Sequence, residues 1–484
     1  MDETALAALR QRYDKARARR APWESLWQDC YDYGFPGRGQ ANGDLRRGEK
    51  LYDGTAPDAV DQLAASLLAQ LTPPWSRWFG FAPGPDVPQA ARGDLAAMLD
   101  RAAATMQGHF DRSSFAVEIH QCYLDLVTAG TAALLVEEAA LGEASAFRFT
   151  AVPLHELVLE EGDAGRLDLT FRRSELTPAQ IVARFPDATL PDDVQRRGRD
   201  EPDARIAVIE SVRPNGFHYL YTAFLEAQDT ATAPLAEGRF ALSPFVSFRW
   251  LKAPGDVYGR SPLMKALPDI KTANKVVELV LKNASIAVTG IWQAEDDGVL
   301  NPANVRLVPG AIIAKAPGSA GLTPLQAPGR FDLSQLVLDD LRARIRHALL
   351  ADRLGQVDAP QMTATEVLER GAEMTRLLGA TFGRLQGELL TPLIRRGLAI
   401  LQRRGEVPAF PLDGRTVVLQ HLSPLARIQA QANVQTTLLW LERVGGLGPE
   451  AAQTVDAVAA ARWLATTLGV PGELVREAGE PSSQ

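Results

Sequence analysis

YGRSPLMKALPDIKTANKVVELVLKNASIAV, residues 258–288, is the stretch whose reading decides the fold. Leu263, Leu267, Ile270, Asn274, Val277, Leu281, Ala284 and Val288 follow one another at alternating four- and three-residue spacing. That is a heptad-like helical seam about 39 Å long, at roughly 1.5 Å per residue. On another face Lys271, Lys275, Glu278 and Lys282 also recur at helical spacing, in a chain with only eight lysines. An apolar seam beside a charged stripe needs a partner along its whole length. The second helix of the same hairpin plus a neighbouring subunit would provide it; the alternative is that these are core helices of a monomer.

That second helix lies downstream. Gly290–Arg330 is rich in Pro and Gly with short strand-like pieces (GIWQAE, VRLV, AIIAK). Leu333–Leu354 is helical again and carries Arg342, Arg344, Arg346 and Arg353. Gly355–Gln361 interrupts it, and Thr363 with Glu366 forms a Thr-x-x-Glu capping box that opens the longest helix. Its apolar stripe runs through Val367, Leu378, Leu385 and Leu393 to Leu401, for about 63 Å, with a kink expected at Pro392. Ser423-Pro424 starts a further helix, and an Ala-rich helix covers about Pro449–Leu468.

Upstream, Leu6, Leu9, Tyr13 and Ala16 predict a first helix, and Pro22 is expected to open a second one carrying Trp23, Leu26, Trp27 and Cys30. Asp58–Leu71, Leu95–Phe110 and Phe115–Ala129 read as three more helices. From about 133 to 250 alternating patterns take over, as in Phe147, Phe149 and Ala151, with Thr177-Pro178 starting one short helix among the strands. The fold class expected is α+β, mainly helical, with a β portion set into a helical protein.

The 484 residues, 46 % apolar and 23 % charged, match a globular chain of several domains. Cys30 and Cys122 are too few to staple it and read as thiols of a reducing compartment. No run of eighteen uncharged apolar residues occurs, so no membrane span is expected, and the acidic N-terminus has no signal core, which points to a product of the cytoplasm. The 51 basic and 59 acidic residues leave a net charge of −8, which argues against tight, static binding of nucleic acid over most of the surface.

Catalytic motifs are missing. No lysine follows a glycine as a Walker loop requires, and GRGQANG at 37–43 has the wrong spacing for a dinucleotide turn. The six histidines form no H-x-x-x-H pair, and His120 with Cys122 lacks two further zinc ligands. Asp296-Asp297 has no third carboxylate at nuclease spacing and reads as a turn. No enzyme, metal or cofactor is expected.

Three blocks together resemble the head-to-tail connector, or portal, proteins of short-tailed bacteriophages. They are LYDGTAPDAVDQLAASLLAQLTPPWSRWF (51–79), YGRSPLMKALPDIKTANKV (258–276) and TATEVLERGAEMTRLLGATFGRLQGELLTPLIRRGLAIL (363–401). The resemblance runs from about Trp23 to Arg443. It implies a portal fold assembled as a ring, normally of twelve subunits, with wing, stem, β-containing clip and helical crown. By matching position, 1–260 would be the wing, 261–289 and 331–354 the stem helices, and 290–330 the clip. Residues 355–362 would be a channel loop, 363–420 the long wing helix with a following strand, and 421–484 the crown.

The partners implied are further copies of the chain, phage double-stranded DNA without sequence preference, the terminase motor, a tail adaptor, and the major capsid protein with its scaffold. The location implied is the virion, at the portal vertex, after assembly in the host cytoplasm. Candidate channel-loop residues are Gln356, Asp358 and Gln361. Candidate stem charges are Lys271, Lys275, Lys282, Arg342 and Arg346, and stem packing falls to Leu267, Ile270, Val277 and Leu281. A lysine facing the channel would recur in every subunit as a basic ring; the alternative is that the stem lysines are solvated outside or paired with Glu278. The competing function is a DNA-processing enzyme of the packaging machinery, which would need the nucleotide loop or carboxylate cluster that is missing.

Overall fold

Helix α1 (Glu3–Gly34) runs unbroken through Pro22, so the two helices expected there are one. Both halves are clamped by packing, which offsets the hydrogen bond that a proline removes. Leu6, Leu9, Tyr13 and Ala16 are buried against Val158, Phe171, Ile209 and Phe224, and the Tyr13 ring meets Phe171 edge-on at 5.3 Å. Beyond the proline, Trp27 and Tyr31 are buried with Leu135, Leu157 and Tyr258. The computed structural model describes residues 3–36, 51–74, 76–163, 165–226, 233–289, 292–294, 316–318, 322–324, 331–354, 379–448 and 454–468.

Helices α2 (Thr55–Leu71), α3 (Arg92–Asp111) and α4 (Phe115–Ala129) enclose the largest core. Phe110 and Phe115 lie 4.7 Å apart between Trp78 on one side and Phe149 on the other. Strand β1 (Phe79–Pro83) leaves this core to pair with a strand more than 330 residues later.

The β portion holds two antiparallel sheets. Strands β2 (Thr131–Glu138), β3 (Phe147–Val152) and β9 (Phe245–Arg249) form one, with β2 central and buried through Val136. The other runs β4 (Leu157–Glu160), β5 (Leu169–Leu176), β6 (Ile206–Asn215), β7 (His218–Leu225) and β8 (Ala236–Phe240) in chain order. Between β5 and β6 lie α5 (Pro178–Arg184), opened by a full Thr177–Gln180 capping box, and α6 (Asp192–Asp200). Helix α6 is almost wholly polar, so no apolar period announces it.

After β9 the YGRSP turn carries the chain into the long hairpin, and three of its residues fix its path. Tyr258 is buried edge-on to Trp27 at 4.9 Å and accepts the Leu159 N–H. Gly259 passes so close to Gly130 that a Cβ would sit 2.1 Å from the Gly130 carbonyl oxygen. Gly130 itself has φ of 78°, which favours glycine. Ser261 donates to the Thr128 carbonyl and accepts the Met264 N–H, capping α7 (Pro262–Thr289).

Of the segment 290–330, β10 (Trp292–Ala294) and β11 (Leu322–Pro324) are described, as an antiparallel pair. Helix α8 (Phe331–Ala348) ends in a turn at 349–350, where Leu350 has a φ of 58°, before the single turn α9 (Ala351–Leu354). The expected helix to Leu354 is therefore interrupted. The long helix is described from 379 onward. A wide turn over Gln386–Leu390 precedes α10 (Thr391–Arg404), where Pro392 can offer no N–H to the preceding turn.

Strand β12 (Val417–His421) closes the β1 ribbon, with Phe79 opposite His421. Helices α11 (Pro424–Gly446) and α12 (Ala457–Leu468) follow. Burial holds the His421 imidazole at a pKa of about 4, and its Nδ1 has no partner among the described residues. A neutral imidazole is thus favoured by the fold, while the unfolded chain takes up a proton near 6.5. Stability is full above pH 6.5 and declines as pH falls towards 4, by on the order of 3 kcal/mol from this group. Denaturant unfolding at pH 7 and pH 5 should show about 2 kcal/mol of that loss, and His421→Phe should flatten it.

Candidate functional site

The α7–α8 hairpin is half inside the protein and half outside it. At its base Leu263, Leu267, Ile270 and Ala273 of α7 are buried with Leu338, Leu341 and Ile345 of α8. Leu267 and Ile270, expected to pack, lie in this core. Past Asn274 the seam opens. Val277 is half-buried, while Leu281 is 52 % exposed and Leu279 49 %. On the facing helix Leu336 is 70 % exposed and Val337 42 %. Within one chain, the apolar seam outruns its partner.

Asn274, the polar member of the seam, is used at the point where burial ends. Its side-chain oxygen accepts the Tyr52 and Asp53 N–H groups at 2.6 and 3.2 Å, anchoring the segment that enters α2. Asp53 caps Thr55 through one carboxylate oxygen and holds the Arg342 guanidinium at 2.8–2.9 Å through the other. Burial pushes the Asp53 pKa up, but the bonds from Thr55 and Arg342 outweigh it and hold the carboxyl below its ordinary value. Both hairpin helices are thereby tied to α2.

The stem charges are mostly engaged. Lys271 pairs with Asp29 of α1 at 2.7 Å and lies over the Tyr33 ring. Lys275 and Lys282 both reach Glu278, at 2.9 and 2.5 Å. Those two bonds, Lys282 first, lower the Glu278 pKa, and the same contact raises that of Lys282. Arg344 crosses the hairpin to Asp269 at 2.9 Å, and Arg346 is exposed. Each of these three lysines of α7 thus has a carboxylate beside it.

A second junction anchors the long helix, and sequence reasoning missed it. Arg249, at the end of β9, has a fully buried side chain. Its guanidinium meets Glu388 at 2.7 Å and Glu161 at 3.3 Å, and donates to the Val257 and Gly165 carbonyls. Glu388 lies in the wide turn before Pro392 and also accepts the Arg249 backbone N–H and Arg384. Burial pushes Glu161 up, but its bonds to Lys252 and Arg249 hold its pKa below the ordinary value. The only signal available in the sequence was a glutamate placed four residues before a mid-helix proline.

Gln356, Asp358 and Gln361 lie outside the described residues, as does 363–378. No group of three or more His, Cys, Asp or Glu side chains suited to a metal occurs among the described residues, and no described helix is long and apolar enough to cross a membrane.

Comparison with known proteins gives the following. The family model described as bacteriophage head to tail connecting protein matches residues 6–475. A probable portal protein of Bordetella phage BPP-1 is 28 % identical, over 98 % of this chain and 89 % of its own length. The portal protein of Salmonella phage epsilon15 is 26 % identical, over 98 % and 91 %. A chain from the virion of a native gene transfer agent particle matches with a TM-score of 0.38 and 13 % identity, over 92 % of this chain and 93 % of that one.

Proposed function

The chain belongs to the family of bacteriophage head to tail connecting proteins, and from that premise we propose that it is the portal of a short-tailed phage, a closed ring at one capsid vertex through which double-stranded DNA enters and leaves. Its place is the virion, and its role is structural rather than enzymatic. The DNA-processing alternative has no nucleotide loop behind it.

The observation that carries the ring is the hairpin. Leu279 and Leu281 on α7, with Leu336 and Val337 on α8, stay exposed where a buried seam would continue. A neighbouring copy that presents the same hairpin covers both patches, and repetition around an axis closes a ring. Twelve subunits is the number proposed.

In this reading 261–289 and 331–354 are the stem, 290–330 the clip and 421–484 the crown. The rest forms the wing, except 355–362, whose Gln356, Asp358 and Gln361 border the channel. The wing, clip and crown are the surfaces for capsid protein and scaffold, motor and tail adaptor.

A conduit must let DNA slide, and the stem charges suit this because Lys275 and Lys282 are already held by Glu278. DNA affinity is therefore expected to be weak, indifferent to sequence and steeply reduced by salt, because only backbone contacts are made. Fluorescence anisotropy with two unrelated duplexes checks this. Equal affinities that collapse between about 50 and 200 mM salt are expected; a salt-resistant preference for one duplex contradicts the conduit.

A further inference from the structure

Away from the hairpin, a cavity of about 520 Å³ opens where the two sheets of the β portion meet α10. Its walls carry four arginines, Arg184, Arg239, Arg396 and Arg403, and three glutamates, Glu137, Glu138 and Glu210. Two pairs neutralise each other. Arg184 grips both oxygens of Glu210 at 2.9 and 3.0 Å, where Tyr221 also donates at 2.7 Å. Arg403 binds Glu138. Arg239, Arg396 and Glu137 remain with no ion pair among the described residues, a surplus of one positive charge.

Arg396 is the unusual member. It is 4 % exposed, yet its guanidinium has only two weak carbonyl acceptors, Val136 at 3.4 Å and Leu242 at 3.2 Å, and lies over the Phe240 ring. Burial, and then Arg403, lower its pKa to about 10, while Glu138 and Glu137 push the other way. A buried guanidinium with five N–H groups and no counter-ion is costly to leave as it is. The remaining wall is apolar, with Phe185, Phe240 and Phe245 prominent.

We propose that this cavity is a binding site for a single carboxylate carried on an apolar body, with Arg396 as the charge that receives it. One negative charge balances the surplus, whereas a dianionic phosphate would overshoot it beside three glutamates. The aromatic wall takes the body, in a cavity of a size usual for small ligands. The same chemistry can come from a free aromatic or aliphatic acid, or from an acidic side chain of a second copy seated beside this one.

The test is benzoate titrated calorimetrically into the full-length protein, whatever its state of assembly, with inorganic phosphate and benzylamine as controls. Saturable binding of one benzoate per chain, with phosphate weaker and benzylamine inert, assigns the site to free carboxylates. Arg396→Met should then weaken benzoate about tenfold or more, as loss of a charged hydrogen bond does. Glu137→Gln, which leaves the Arg396 contacts in place, should tighten it severalfold. If assembled protein takes no benzoate but Arg396→Met, folded by circular dichroism, raises the concentration needed for assembly about tenfold, the carboxylate is the neighbour's. No benzoate binding together with unchanged assembly of Arg396→Met overturns the proposal, as does equal benzoate binding by wild type and Arg396→Met. The benzoate arm does not depend on the ring, so failure of the site and failure of the portal reading are distinguishable.

Discussion

Arg249→Met should destabilise the chain by about 3 kcal/mol, the largest expected loss from a single side chain outside the apolar core. The guanidinium is fully buried, and its removal strands Glu388 and Glu161, whose side chains are only 17 % and 18 % exposed. Lys252 and Arg384 stay beside them and keep the loss at the lower end of the range for a broken buried pair. The damage should be directional. Glu388 lies in the wide turn before Pro392, so the long helix should loosen from β9 first, seen as faster amide exchange around 386–394. Urea unfolding of Arg249→Met, Glu388→Gln and the double variant forms a cycle in which the double variant costs less than the two singles added together. A loss below about 1 kcal/mol for Arg249→Met would mean that the junction is not what holds the helix.

Leu281→Asp should leave the single chain folded and abolish its assembly. Leu281 is 52 % exposed, so a carboxylate there meets water, and the change in chain stability should stay within about 0.5 kcal/mol. Between subunits the same carboxylate would be buried in an apolar seam without a partner. Leu267→Asp is the contrast, since Leu267 is buried in the core and its replacement should unfold the base of the hairpin. Sedimentation velocity checks assembly and circular dichroism checks the fold. Leu281→Asp that assembles like wild type would take this part of the hairpin out of the subunit contact.

How far the protein could be read from its sequence follows from the range of each interaction. The α7 seam, the Ser261 cap and the Thr177–Gln180 box are local patterns, and local periodicity finds them. The half-exposed end of the seam was not legible, because Leu267 and Leu281 occupy equivalent heptad positions and only the surrounding fold separates them. Pro22 misled because its local effect is outweighed by packing from strands more than 130 residues away. Arg249 and Glu388 stand 139 residues apart, and β1 finds β12 across an even longer span, so neither junction leaves a spacing to detect. The carboxylate cavity draws its arginines from α5, β8 and α10, each of which reads alone as an ordinary solvated charge. Asn274 was legible as a position in the seam, but its use in holding Tyr52 and Asp53 was not.

The central claim is that this chain closes into a ring by covering the exposed ends of its hairpins. Mass photometry of the purified full-length protein, without metal or nucleotide, followed by negative-stain class averages, tests it most directly. A single high-mass species near twelve times the 52.4 kDa chain, seen end-on as a ring with a central hole, is the expected result. Only the 52.4 kDa monomer, across a range of concentrations and salts, would contradict it.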